Sequence, residues 1–294
     1  LNAKFTGNTD QFEFEFKMDS TLVVFNQENY KVPSIAADLS VNQQQTNFSS
    51  NSRFLKSNFQ ANANPDVLIE ALKNHFESYI SPNKTTPKTE DFVAMSGDFK
   101  FYATPFIAEV LVPGIQELDT ISFNFNFQEK EHQLKADLQL PKLIYNEIEL
   151  DSLVFNMDTS RDKVDFNFGF KSLNSGVLNV AKTKFAGSFE DKNLQLDFEA
   201  YKDDVAFFNI HSAVNFNENR IHFSIQPENL ILNKVAWSIP EDNFIEFNRN
   251  ENSKFIQINN FEVTRNQQYL AIKNNFEIEE EHIGLVFKDF KLST

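Results

Sequence analysis

Cysteine is absent from the 294 residues, which excludes a disulfide framework, thiolate metal sites and a cysteine nucleophile. Its absence leaves the compartment open, since a chain without cysteine suits reducing and oxidising surroundings alike. Glycine is scarce, with 7 in all, and neither GxGxxG nor any other phosphate-cradling loop is present. Positive charge is short as well: 27 Lys and Arg stand against 42 Asp and Glu, for a formal net charge of -15 and a pI of about 4.8. Such a surface repels phosphate backbones, which argues against nucleic acid as a partner, and it offers no polybasic patch to an anionic membrane. No run approaches the roughly 20 apolar residues of a membrane-spanning helix. No signal peptide is visible, and the opening LNAKFTG lacks methionine. The expectation is an internal piece of a longer protein, with any anchor or targeting segment lying elsewhere.

What is abundant is phenylalanine, 34 residues against 6 Tyr and 1 Trp. AT-rich coding raises Phe, but it raises Tyr too. The imbalance points to selection for apolar aromatic surface without a hydroxyl to satisfy, with codon bias as the alternative.

Alternation with a period of two runs from end to end. It is clear in Phe12/Phe14/Phe16, Phe123/Phe125/Phe127, Leu134/Ala136/Leu138/Leu140, Phe166/Phe168/Phe170 and Leu194/Leu196/Phe198. It continues in Ile221/Phe223/Ile225, Ile256/Ile258, Leu270/Ile272, Phe276/Ile278 and Ile283/Leu285/Phe287. Polar clusters such as QEKEH, DTSRDK, EDKN, NENR and RNQQ separate the runs and read as turns. The pattern predicts an antiparallel meander with strands every ~10–15 residues. KFTG at 4–7 and KFAG at 184–187 stand at the same distance from Phe14 and Leu194, which hints at hairpins on a common plan.

One helix is predicted, over 65–80. Asn64 suits the N-cap, Pro65 the first position and Asp66 the first turn, while Leu68, Leu72, Phe76 and Tyr79 make one stripe. It reads as a helix packed on sheet, or as a plug for an open end of that sheet, with 81–91 as an exposed loop. Residues 108–119 fit either a strand and turn or a short helix after Pro113.

No chemistry-bearing constellation emerges. His75, His132, His211, His222 and His282 share no metal-ligand spacing, although His211 and His222 fall on neighbouring strands and could meet. Asp203/Asp204 and Glu279–Glu281 fall in predicted turns. No GxSxG elbow or EF-hand loop is present. Asn47-Phe48-Ser49 and Asn83-Lys84-Thr85 fit the short glycosylation sequon. The expectation is a protein that is not an enzyme and needs no cofactor or metal.

The alternating strands allow three architectures. Nearly 20 strands in local order suit a single sandwich poorly. A transmembrane barrel calls for Tyr and Trp girdles and more glycine. The third is an elongated, curled antiparallel meander forming an open apolar groove, with strands ~4.8 Å apart and a length of roughly 80–100 Å. A continuous apolar trough of that size needs an occupant.

The C-terminal half carries a resemblance. PKLIYNEIELDSLVFNMDTSRDKVDFNFGFKSLNSG (141–176) is followed by IHFSIQPENLILNKVAWSIPEDNFIEF (221–247), KFIQINNFEVTRNQQYLAIKNNF (254–276) and LVFKDFKLS (285–293). The L-x-L-N strand before Trp237, the W-x-I-x-x-D-N-x-I turn and F-x-x-F-x-L-S near the end, in that order, resemble the TamB branch of the AsmA-like proteins of Bacteroidetes-type bacteria over about 141–294. The resemblance implies a U-shaped β-taco with an apolar interior. It implies a periplasmic segment of an envelope-spanning protein anchored in the inner membrane. It further implies work in outer-membrane biogenesis, with phospholipid acyl chains and an outer-membrane barrel-assembly protein of the Omp85 type as partners. On this reading 1–294 is a single elongated segment, interrupted by the 65–80 helix and its loop. The expected lining is Phe12, Phe14, Phe16, Phe123, Phe125, Phe127, Phe166, Phe168, Phe170, Leu194, Leu196 and Phe198. It continues with Phe223, Ile225, Ile256, Ile258, Leu270, Ile272, Phe276, Ile278, Leu285 and Phe287. The expected function is a conduit that shields acyl chains. The alternatives are a scaffold for outer-membrane β-barrel strands and a purely structural β-domain.

Overall fold

Alternating Phe and polar residues cannot satisfy a helix, because period two spreads the rings around its whole circumference; on a strand it gathers them on one face. A computed structural model describes residues 1–80, 92–176, 179–217, 219–248, 256–275 and 282–289, and it is mostly β, with antiparallel ladders not closed into a barrel. Phe276 and Ile278, the 81–91 loop, Asn83–Thr85 and Glu279–Glu281 lie outside the described residues. The chain divides into two compact units, Leu1–Asn179 and Val180–Thr294.

The first unit contains β1 (Asn2–Gly7), β2 (Phe12–Met18), β3 (Thr21–Phe25), β4 (Glu28–Val32), β5 (Ile35–Asn42), β6 (Gln45–Ser52) and β7 (Leu55–Ala61). Helix α1 (Pro65–Ile80) follows, then β8 (Ala94–Phe101), β9 (Ile115–Leu118), β10 (Ile121–Gln128), β11 (Gln133–Tyr145), β12 (Ile148–Thr159) and β13 (Lys163–Asn174). Hydrogen bonding runs in the order β1-β2-β5-β6-β7-β8-β10-β11-β12-β13, every pair antiparallel, and β9 adds to the far half of β11. Hairpin β3–β4 stands apart from this sheet.

The second unit contains β14 (Asn179–Glu190), β15 (Asn193–Lys202), β16 (Val205–Asn217), β17 (Arg220–Ile225), β18 (Ile231–Leu232), β19 (Val235–Ala236), β20 (Phe244–Asn248) and β21 (Ile256–Asn259). Strands β22 (Glu262–Arg265), β23 (Gln268–Asn275) and β24 (His282–Lys288) form a small sheet of their own. The main ladder runs β14-β15-β16-β17-β20-β21, and the short β18 pairs with β16 beyond the end of β17.

The polar clusters turn the chain as their composition predicts. Asp191-Lys192, Asp203-Asp204 and Asn233-Lys234 each have positive φ at both residues, the requirement of the type I′ hairpin whose twist matches the flanking strands. In the ambiguous stretch, a π-type turn occupies Ile107–Leu111, before Pro113, and the strand Ile115–Leu118 comes after it. The KFTG/KFAG echo does not reach the register: Phe5 faces Phe14, whereas Phe185 faces Phe198.

Candidate functional site

Residues directly opposite in an antiparallel ladder share a face, so register alone assembles the site. In the first unit one cross-strand row reads Phe5, Phe14, Leu39, Phe48, Phe59, Gly97, Phe125, Ala136, Met157, Phe166. The next reads Ala3, Phe16, Ala37, Ser50, Ser57, Phe99, Phe123, Leu138, Phe155, Phe168. On the other side of the first row, Phe12, Val41, Thr46, Ala61, Met95, Phe127 and Leu134 line up. None of these rows contains a charged side chain. The opposite face of the same strands presents Glu13, Glu15, Asp38, Asn58, Asp98, Asn124, Asp137 and Asn156.

The nine phenylalanines singled out in β2, β10 and β13 therefore lie on one face, although far apart in sequence. Their environments differ. Phe12, Phe14, Phe16, Phe123, Phe125, Phe166 and Phe170 are half-buried, and Phe168 is 36% exposed. Phe127 is fully buried, at 0% exposure, beneath α1. Rings touch along the rows: Phe123 and Phe125 have centroids 5.5 Å apart, Phe59 and Phe125 6.0 Å, Phe99 and Phe123 6.2 Å. These are the offset distances at which aromatic pairs attract beyond simple area burial.

Helix α1 sits over the Phe127 end of this face. Asn64 caps it, its Oδ1 accepting the Val67 N–H at 3.0 Å. Leu68 and Ala71 pack with Ala61, Met95, Phe127 and Leu134. Further along the helix, His75 lies edge-on to Phe127 with ring centroids 5.3 Å apart, and its Nε2 is 2.9 Å from Thr159 Oγ1. Burial, and then the like charge of His132, lowers the His75 pKa to about 4.

In the second unit the register again groups the expected residues. Phe189, Leu194, Val214, Phe223, Ile245 and Ile258 form one row. Gly187, Leu196, Ser212 and Ile225 form the next, followed by Phe185, Phe198 and Ile210. Ile256 pairs with Phe247 two positions along from Ile258. Part of this face is covered from within the unit. Leu230, Ile239 and Val263 make a buried cluster against Ile210, Ile225, Trp237 and Leu270, and the Phe261 ring lies 6.1 Å from Phe223. On the small sheet Ile272 faces Leu285 and Leu270 faces Phe287; Leu285 and Phe287 are 62% and 61% exposed.

The turn around Trp237 is held by its polar residues. Asn243, 2% exposed, accepts the Ile225 N–H at 2.9 Å and donates to the carbonyls of Ile225 and Pro240, both at 2.7 Å. Its side chain thus continues the ladder along β17. Asp242 Oδ2 accepts from Asn260 at 2.7 Å.

His211 and His222 do not meet. His211 Nδ1 lies 2.6 Å from Asp197 Oδ1, while His222 Nδ1 lies 3.5 Å from Glu246, beside Arg220. Asp203 and Asp204 pair with Lys234 and Lys182. Among the described residues no group of three or more His, Asp or Glu could hold a metal ion, and no helix is long and apolar enough to cross a membrane. Sequence reasoning missed Leu39, Phe48, Phe59, Phe99, Phe155 and Met157 as members of the face. Period-two continuation carries the signal, through 35–61 and 94–101, where Ala, Ser and Thr dilute it, and through Leu153/Phe155/Met157. Compared with known proteins, the chain matches no family model, no curated protein and no solved structure.

Proposed function

We propose that this protein is a non-enzymatic conduit segment whose phenylalanine face forms an apolar groove for the acyl chains of phospholipids. Its place would be the periplasm, within a longer inner-membrane-anchored protein that serves outer-membrane biogenesis. The observation that carries the reading is the charge-free succession Phe14, Leu39, Phe48, Phe59, Gly97, Phe125, Ala136, Met157, Phe166, crossing strand after strand with its phenylalanines, Leu39 and Met157 half-buried. A fluid hydrocarbon chain needs contact area and no specific donor or acceptor, at about 25 cal/mol per Å² removed from water. Phenylalanine supplies that area with no polar atom to leave unsatisfied. The likeness of 141–294 to TamB-type proteins supports the same reading.

A photo-crosslinking side chain at Phe168 should capture phospholipid in cells, and one at Asn156 on the opposite face should not. Phe125→Asp with Phe168→Asp should abolish the capture at a third position such as Phe14. Undiminished lipid capture in that double variant would sink the conduit. A second reading, a scaffold for β-barrel strands, rests on β1, which pairs with β2 alone among the described strands and leaves a ladder edge open to strand addition. Capture of nascent barrel protein along β1, with no lipid at Phe168, would favour it.

A further inference from the structure

Hydroxyls on the apolar face of β6 and β7 differ in how they are satisfied. Thr46 Oγ1 donates to the Ala63 carbonyl at 2.8 Å. Ser52 Oγ donates to the Leu55 carbonyl at 3.0 Å and accepts the Leu55 N–H at 2.9 Å. Ser57, on the same face, is 8% exposed, and its Oγ has no hydrogen-bond partner. Asn167 Oδ1 and Thr183 Oγ1 share that condition, but Asn167 stands on the opposite face and Thr183 in the other unit. A buried hydroxyl without a partner costs stability, so folding alone gives no reason for a serine at 57.

Ser57 belongs to a low place in the face. Register sets Ala37, Ser50 and Ser57 side by side across β5, β6 and β7. Phe16 follows Ala37 at one end of the trio, and Phe99 follows Ser57 at the other. Leu39, Phe48 and Phe59 fill the neighbouring row. Three small side chains thus interrupt a bulky face for about 10 Å, at the ordinary strand spacing.

The same surroundings select the occupant. Ser57 Oγ carries one hydrogen and calls for an acceptor. From β2 to β10, neither this row nor the rows on its two sides contain a charged side chain. A phosphate or carboxylate would therefore sit there uncompensated. An uncharged carbonyl attached to hydrocarbon meets both conditions, and the ester linkage of an acyl chain is such a group.

We propose that Ser57 marks a seat for the ester carbonyl of a diacyl glycerophospholipid, held over Ala37, Ser50 and Ser57 with the attached chain along the flanking phenylalanines. Ser57 Oγ, closed off from water in the free protein, turns to the carbonyl by a change of side-chain rotamer. The seat rests on the conduit proposed above and gives it one fixed stop in an otherwise unspecific path.

Isothermal titration with dihexanoylphosphatidylcholine, kept monomeric, and with its dihexyl ether analogue, which lacks both carbonyls, tests the seat. The parent protein should bind the ester lipid roughly 3- to 10-fold tighter, the worth of one net hydrogen bond. Ser57→Ala should bring the ester lipid down to the affinity of the ether and leave the ether unchanged. Ser49→Ala, on the opposite face, should keep the preference. Urea melts of Ser57→Ala should show no loss of stability, since the hydroxyl removed has no partner to lose. Equal affinity of the parent protein for the two lipids, or an ester preference that survives Ser57→Ala, overturns the seat and leaves the conduit standing. Parallel weakening of both lipids with a lowered melt makes Ser57 a structural residue and overturns the seat as well. If the parent protein binds neither lipid, the conduit falls and the seat with it.

Discussion

Gly97 lies beneath the ring of Phe125: a Cβ on Gly97 would come within 2.5 Å of Phe125 Cε1 and 2.6 Å of Phe99 Cε2. The glycine sits in the row between Phe59 and Phe125, where any side chain would compete with both rings. Its φ is unexceptional, so the demand is for space and not for a left-handed backbone. The rings of Phe99 and Phe125 stack 6.4 Å apart, with planes 9° from parallel, over the site.

Gly97→Ala should therefore destabilise the first unit by about 1–3 kcal/mol, the usual range for forcing a methyl into packed surroundings. Denaturant melts should show a lower midpoint with an unchanged slope. In Phe125→Leu the same substitution should cost less, because the ring that needs the space is gone. A full additive loss in the double variant would show that the ring does not set the cost.

Phe127 and Phe168 occupy equivalent places in the alternating pattern but opposite environments. Phe127→Ala should cost about 3–5 kcal/mol, as an enclosed ring is replaced by a cavity. Phe168→Ala should cost under roughly 1.5 kcal/mol, since a ring already 36% exposed loses less burial. Comparable losses in thermal or urea melts of the two variants would contradict the burial that α1 gives Phe127.

That pair also marks how far the sequence can be read. Local signals were sufficient for the start and extent of α1, with Asn64 and Pro65 at its head and an observed helix of Pro65–Ile80, but only in part for its inner face: of the stripe Leu68, Leu72, Phe76 and Tyr79, Leu68 and Tyr79 are buried, Phe76 is 39% exposed, and Ala71 and His75 take the buried places between them. They were sufficient for the shared face of Phe14, Phe125 and Phe166, because a period of two is indifferent to which strands later pair. They could not separate Phe127 from Phe125. The difference is made by a helix distant in the chain, and nothing within FNFNF encodes it. Nor could they separate His211 from His222, since both lie on adjacent strands and only register decides that each meets its own carboxylate. The Asn243 contacts were equally hidden, because an Asn after Asp reads as one more turn residue until Ile225 is found beside it.

Hairpin β3–β4 is tied to the π-type turn by Tyr30, whose hydroxyl donates to Glu109 Oε2 at 2.9 Å. That bond, aided by Glu28, raises the Tyr30 pKa to about 12. The folded state thus holds its proton longer than the unfolded chain does. The tie should be intact below pH 10 and should be lost as pH rises from 10 through about 12. In an ultraviolet titration of the tyrosines, Glu109→Gln should move one late-ionising group toward the ordinary value near 10. An unchanged titration would rule out the Glu109 contact.

Asn243 is the residue on which the Trp237 turn depends most. Its amide satisfies both backbone groups of Ile225, where β17 runs out of partner strand, and a third bond holds Pro240. Asn243→Leu, similar in volume, would leave the Ile225 N–H and carbonyl without their partner, each unsatisfied group costing about 1–3 kcal/mol, while the Pro240 carbonyl keeps the backbone N–H of residue 243 at 3.2 Å. Asn243→Asp keeps the acceptor for the Ile225 N–H but sets a carboxylate against the Ile225 and Pro240 carbonyls. At neutral pH it should be at least as damaging as Leu. Below the carboxyl's pKa, a protonated Asp regains one donor and part of the loss should be recovered. Melts of both variants at pH 7 and pH 4, each referred to the parent protein at the same pH, read this directly. If the Asp variant gains nothing on acidification, the Asn243 amide is not the donor that closes the ladder.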